Sequence, residues 1–222
     1  MDPRARYHQS LQALQDEMLL LGSMADRAVD RAITALRERD QEAARRIIEE
    51  DSLIDHKRYA IEEQAIELIA TQQPMASDLR IIVAILNIIV ELERIGDYAE
   101  GIAKIVLLLG DQPPLKRLID IPRMADKARD MLRRSLDAFV LRDADAARAI
   151  ASEDDEVDAL HDQVYRELLT YMIEDPRTIT RATYLIWVAH NLERIADRTT
   201  NICERVVFLV TGRLEEMNVS RY

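Results

Sequence analysis

RDQEAARRIIEEDSLID, residues 39–55, is written a second time as RDADAARAIASEDDEVD, residues 142–158. Nine of the seventeen positions are identical at an offset of 103: Arg39, Asp40, Ala43, Ala44, Arg45, Ile47, Glu50, Asp51 and Asp55 all recur. Met24-Ala25-Asp26 returns as Met124-Ala125-Asp126, and LERIGD (92–97) returns as LERIAD (192–197). Three matches in the same order mark a tandem duplication, so reading one unit reads the fold.

Working outward, the first unit is helical. Leu11, Leu14, Met18, Leu21, Ala25, Ala28, Ala32 and Leu36 step by three and four, a helix seam held over many turns. Asp40 stands where an N-cap belongs, and a second helix is expected to run to about Thr71. Pro74 breaks the chain in TQQPMASD; Ser77 or Asp78 is then expected to cap a third helix reaching Leu109. DQPP, residues 111–114, is the clearest linker. The plan then repeats. A helix begins near Pro122, Asp143 repeats the Asp40 cap, and Asp175-Pro176 repeats the break at Pro74. A last helix runs from about Thr178 to Thr211 and ends at Gly212. The expectation is an all-α protein of two tandem three-helix bundles: residues 1–110, a linker at 111–121, and residues 122–222.

Composition agrees. Only 5 Gly and 6 Pro punctuate 222 residues, and 48% of the chain is hydrophobic. The net charge is −11, and no Lys/Arg block suggests a nucleic-acid face or an anionic-membrane anchor. The longest uncharged apolar run, IIVAILNIIV (81–90), is half the length a membrane helix needs. The single cysteine, Cys203, fits a reducing compartment, and the start lacks a signal-peptide stretch, so a cytoplasmic protein is expected.

The carboxylates are the candidate site. Glu and Asp four apart share a helix face, and like charges so placed repel. Forty-one acids in 222 residues put about seven or eight such pairs in the chain by chance alone. The repeat adds the meaning: each half carries one pair per helix. The first half has Asp26/Asp30, Asp51/Asp55 and Glu93/Asp97; the second has Asp126/Asp130, Asp154/Asp158 and Glu193/Asp197. At mid-level in antiparallel bundles these could form one carboxylate patch per half, suited to iron, zinc, magnesium or another divalent metal. The competing reading is a duplicated solvated face. Arg94 and Arg194 point away around the helix and are expected to pair across helices; Arg80 and Arg181 are expected in interhelix salt bridges. Leu92, Ile95, Leu192 and Ile195 are the core-facing frame, Cys203 a buried small residue, and Trp187 a core residue. Gly96 against Ala196 is the one difference between the phrases, and it predicts two unequal ledges with unequal metal occupancy. No Glu-x-x-His pair, catalytic triad, glycine-rich phosphate loop or CxxC occurs, so no enzyme is expected.

ELERIGDYAEGI, NLERIADRTTNI, TQQPMASDLR (71–80) and TYMIEDPRTI (170–179) together resemble the PhoU family of bacterial phosphate-transport-system accessory proteins, over nearly the whole chain. The resemblance implies two three-helix bundles and no catalysis. It implies a negative regulator of the phosphate-starvation response and of high-affinity uptake. Such a protein would connect the ATPase subunit of a phosphate ABC transporter with a phosphate sensor histidine kinase, at the inner face of the membrane through these partners. Homodimers and iron or zinc clusters are implied as well. Glu93, Asp97, Glu193 and Asp197 fall on the family's core motif, and Asp51, Asp55, Asp154 and Asp158 on its middle-helix acids. Asp26/Asp30 and Asp126/Asp130 match a looser part of the pattern. The alternative reading is a carboxylate-cluster metalloprotein with a storage or redox role.

Overall fold

The structure, a computed structural model, describes residues 3–217. The outermost residues of the two repeats, 1–2 and 218–222, lie outside the described residues. Six helical legs follow in order, with no strand among the described residues: α1 (Pro3–Glu38), α2 (Gln41–Gln72), α3 (Ser77–Leu109), α4 (Asp120–Leu141), α5 (Ala144–Ala151) with α6 (Asp154–Glu174), and α7 (Ile179–Thr211).

The caps follow local chemistry. Asp40 accepts the Ala43 N–H at 2.9 Å, and Asp143 accepts those of Asp145 and Ala146 at 3.1 and 2.9 Å. Each satisfies amide donors that a helix start would leave open. Gly212 closes α7 in the left-handed region at φ 72, its N–H on the Phe208 carbonyl. Pro122 falls in the first turn of α4, where its missing N–H costs nothing. One cap differs from expectation. Neither Ser77 nor Asp78 caps α3; Ala76 holds that position at φ 49 with no side-chain bond, and backbone bonds from Asp78 to Met75 and Arg80 to Ala76 close the turn.

The fifth leg also differs: a continuous helix is expected there, but it breaks at Ser152 and Glu153. Ser152 Oγ turns back to the Ala149 carbonyl at 2.7 Å, a local bond that competes with the helix ladder. Glu153 is drawn to Arg134 at 2.7 Å and Lys127 at 2.7 Å. Asp154, Asp155 and Glu156 then favour a new helix start, where negative charge meets the positive end of the dipole.

The core is one continuous body rather than two. In α1 the seam is as read, except that Val29 is fully buried and Ala28 only partly. Leu92, Ile95, Leu192, Ile195 and Cys203 are all at 0% exposure, as the helix period requires. Trp187 does not join the core; it is 49% exposed and leans on Tyr184. The halves join through α3 on α7 and α1 on α4. Asn201 Nδ2 donates to Glu91 Oε2 at 3.1 Å, and at the matching point a Cβ on Gly101 would meet Asn191 Nδ2 at 3.1 Å. Residue 91 therefore faces 201 and 101 faces 191: α3 and α7 run antiparallel, with the middle of each at one level.

Gly96 serves contact with α2 in its own half. A Cβ there would lie 2.9 Å from Ile54 Cδ1. In the second repeat the corresponding residues are Ala196 and Val157, both fully buried. One methyl-sized volume has moved from one partner to the other. Overpacking costs about 1–3 kcal/mol and helix propensity returns about 1, so Gly96→Ala alone should destabilise by about 1 kcal/mol. Ile54→Val alone should cost about 1 kcal/mol. The double variant, measured by urea unfolding, should regain at least wild-type stability; a loss equal to the sum of the singles would show that the two positions do not share this space.

Candidate functional site

Asp51 and Asp55 lie one turn apart on α2, and Asp97 on α3 comes across to them. One oxygen from each falls within 4.8 Å of the others, which makes them the one group of this kind among the described residues. Asp51 is raised to about 6, first by burial and then by Glu100, Asp55 and Asp97. Burial also raises Asp97, with Asp55 and Glu100 adding repulsion. Glu93 is raised by burial and Asp97, and Arg58 on α2 opposes the rise. Three negative oxygens held this close favour either a proton or a hard cation. A cleft of about 200 Å³, lined in part by Met24, Ile47, Asp51 and Gly96, opens on Asp51.

Glu100 was outside the expected set, yet it bears on both Asp51 and Asp97. It is ion-paired with Lys104. Its signal is in the spacing Glu93, Asp97, Glu100: steps of four and three keep one helix face. In the second repeat Thr200 stands there.

That second patch has the same carboxylates in different surroundings. Asp154 is buried, and burial lifts it to about 7, with Asp158, Asp197 and Glu193 adding repulsion. Asp158 is raised by burial and Asp197. Glu193 is raised by burial and Asp197, with Arg194 and His190 pulling the other way. Arg194 donates to Asp197 at 3.2 Å and lies 3.6 Å from Glu193; His190 Nδ1 lies 3.4 Å from Glu193. Arg194 thus neutralises its own helix neighbours, contrary to the cross-helix pairing expected of it. A three-residue step brings Arg194 beside Asp197, and its long stem reaches back.

The first-helix acids do not join either patch. Asp26 and Asp30 are both taken by Arg129 from α4, whose Nε meets Asp26 at 2.8 Å and whose Nη1 meets Asp30. Asp130 pairs with Arg134 at 3.1 Å, and Asp126 is exposed. The asymmetry has a simple source: Val29 occupies in the first repeat the place of Arg129 in the second. The structure therefore brings together Asp51, Asp55 and Asp97, with Glu93 beside them. It gathers Asp154, Asp158, Glu193 and Asp197 electrostatically, and it sends Asp26, Asp30, Asp126 and Asp130 elsewhere. Arg181, expected in an interhelix salt bridge, shows none among the described residues; it donates to the Pro113 carbonyl at 2.9 Å, and its charge bears on Asp175 just ahead of α7.

Comparison with known proteins matches both repeats separately. The PhoU domain fits residues 18–106 and again 121–206. A phosphate-specific transport system accessory protein PhoU homolog of Clostridium acetobutylicum is 38% identical over 216 residues, covering 97% of this chain and 99% of that one. The phosphate-specific transport system accessory protein PhoU of Escherichia coli is 36% identical over 208 residues, covering 94% of this chain and 86% of its own. The crystal structure of the phosphate transport system regulatory protein PhoU from Streptococcus pneumoniae superposes with a TM-score of 0.88 at 33% identity, covering 95% of this chain and 99% of that one. These relatives are named as accessory or regulatory proteins, not as enzymes. With a duplicated core, paired carboxylates on α2 and α3, and full-length likeness in sequence and shape, the chain belongs to the PhoU family.

Proposed function

We propose that this chain, whose part in phosphate transport is accessory and regulatory, is a cytoplasmic negative regulator of the phosphate-starvation response and of high-affinity phosphate uptake. It acts as an adaptor between the ATPase subunit of a phosphate ABC transporter and a phosphate sensor histidine kinase, and it works as a homodimer. The observation that carries this is the likeness of both repeats, over nearly the full chain, to accessory proteins of phosphate transport. Its setting agrees: no helix among the described residues is long and apolar enough to cross a membrane.

The carboxylate patches take part as cation sites. Asp51, Asp55 and Asp97 supply an all-oxygen donor set for a hard divalent cation. Asp154, Asp158, Glu193 and Asp197 would supply a second, weaker one, since they are gathered less closely and Arg194 already offsets Glu193 and Asp197. Binding there would relieve the repulsion that raises these groups and would tie α2 to α3 and α6 to α7. A storage or redox role is disfavoured by the lack of Glu-x-x-His pairs.

The test is a deletion strain grown in ample phosphate. Phosphate-regulated genes should be expressed there, and the wild-type chain should silence them again. Silent genes in the deletion strain would remove the regulatory reading. Complementation with Asp51→Asn/Asp97→Asn, alongside metal analysis of the purified variant, separates the parts. Loss of cation with regulation intact would make the metal incidental to signalling.

A further inference from the structure

In a chain with 41 acids against 30 Lys and Arg, one cavity has only cations among its charged lining residues. It measures about 310 Å³ and lies where the inter-repeat linker folds over the ends of α1 and α3 and the beginning of α7. Arg37, Arg39, Lys116, Arg117 and Arg181 line it. The floor is apolar, with Leu36, Val106 and Leu185 all buried.

Two of these cations are occupied by acids: Lys116 pairs with Glu167, and Arg37 lies 3.5 Å from Glu38. Arg39 and Arg181 are held differently. Arg39 donates to the Gly110 and Gln112 carbonyls, and Arg181 to that of Pro113. The carbonyl partners are neutral and set both guanidinium positions through the linker; Asp175, which feels the charge of Arg181, is held first by Arg177. A guanidinium has five donors, and these contacts leave several open on each. Arg117 is exposed at the rim. Part of this charge offsets the negative ends of α1 and α3, whose last carbonyls point here. Three guanidiniums exceed what two helix ends need, each worth about half a charge.

We infer that this cavity binds a phosphorylated small molecule, with the phosphate on Arg39, Arg117 and Arg181 and an apolar or aromatic body on the leucine floor. Guanidiniums match phosphate oxygens in pairs of parallel hydrogen bonds. Three of them suit a group carrying about two charges better than a single carboxylate. The volume falls within the usual range for small-molecule sites. The site is separate from the carboxylate patches and depends on neither of them. Because the linker supplies its own carbonyls to two of the arginines, a bound phosphate would fix the linker and the repeats it joins.

Isothermal titration of the full-length protein with ADP, adenosine and inorganic phosphate tests this. ADP should bind more tightly than either of its parts. Arg117→Gln and Arg181→Gln should each weaken ADP by about tenfold or more. Arg133→Gln, exposed on α4, should leave it unchanged. Thermal unfolding of Arg181→Gln shows whether the linker has loosened, and Arg117→Gln carries the test if it has. The inference is overturned if ADP does not bind, if inorganic phosphate binds as tightly as ADP, or if neither the Arg117 nor the Arg181 substitution weakens ADP.

Discussion

At pH 8, with divalent cations chelated, Asp154→Asn should melt about 4–8 °C above the wild type, for a gain of about 2 kcal/mol; at pH 4 the two should melt together. Asp154 rises from 3.8 to about 7 because it is buried beside Asp158, Asp197 and Glu193. A raised carboxylate binds its proton in the folded state before the unfolded chain does. Below pH 3.8 both states are protonated and stability is unaffected. Through the window from 3.8 to about 7 the folded state holds the extra proton, so stability falls as pH rises. Above 7 the whole loss is present. The full shift corresponds to on the order of 4 kcal/mol. Part of it belongs to the neighbouring carboxylates, which stay charged in the variant. Calorimetry at pH 4, 6 and 8 reads this directly. An equal or lower melting temperature for Asp154→Asn at pH 8 would refute it. If the second patch binds a cation as proposed, excess Mn²⁺ should reverse the order, since a cation would stabilise only the folded site that keeps its ligands.

Arg129→Ala should lose about 2–4 kcal/mol. Its side chain is 16% exposed and forks onto that of Asp26, also 16% exposed, while Nη1 reaches Asp30. The hydrogen bond to Asp26 holds the guanidinium firmly protonated. Removing it leaves a partly buried carboxylate without its partner, and that exposed cost exceeds the net worth of the pair. Because the bond joins α1 to α4, the loss falls on the contact between repeats. Adding Asp26→Asn should restore part of it by removing the stranded charge. Strictly additive losses in urea unfolding would show that the pair is not coupled. The same experiment asks whether Asp26 is structural, since an acid that served only a cation would not depend on Arg129.

The helices were legible because their signals are local. Asp40 and Asp143 cap by reaching three residues ahead, and Gly212 ends α7 through its own backbone. Buried positions were legible where the period is strong, as for Leu92, Ile95, Leu192 and Ile195. What stayed hidden depends on a partner far along the chain. Arg129 meets an acid about a hundred residues away, and nothing near it in sequence marks it. Trp187 looks like core by composition, but its helix turns that face outward. The break before α6 depends on Glu153 being drawn to Arg134 and Lys127 on α4. Glu100 is an intermediate case, since its spacing was visible and only its nearness to Asp51 was not.

The sequence by itself determined that there are two copies of a helical unit and that each copy carries acids four apart on its helices. Repetition and helix period are properties of the chain alone, and they survive without any knowledge of what packs on what. Tertiary structure decided which of those acids act together. Packing α2 on α3 brought Asp51, Asp55 and Asp97 within 4.8 Å of one another. Packing α1 on α4 gave Asp26 and Asp30 to Arg129 instead. Electrostatic fate depends on burial and on the distance to the next charge, and both are set only when the helices meet.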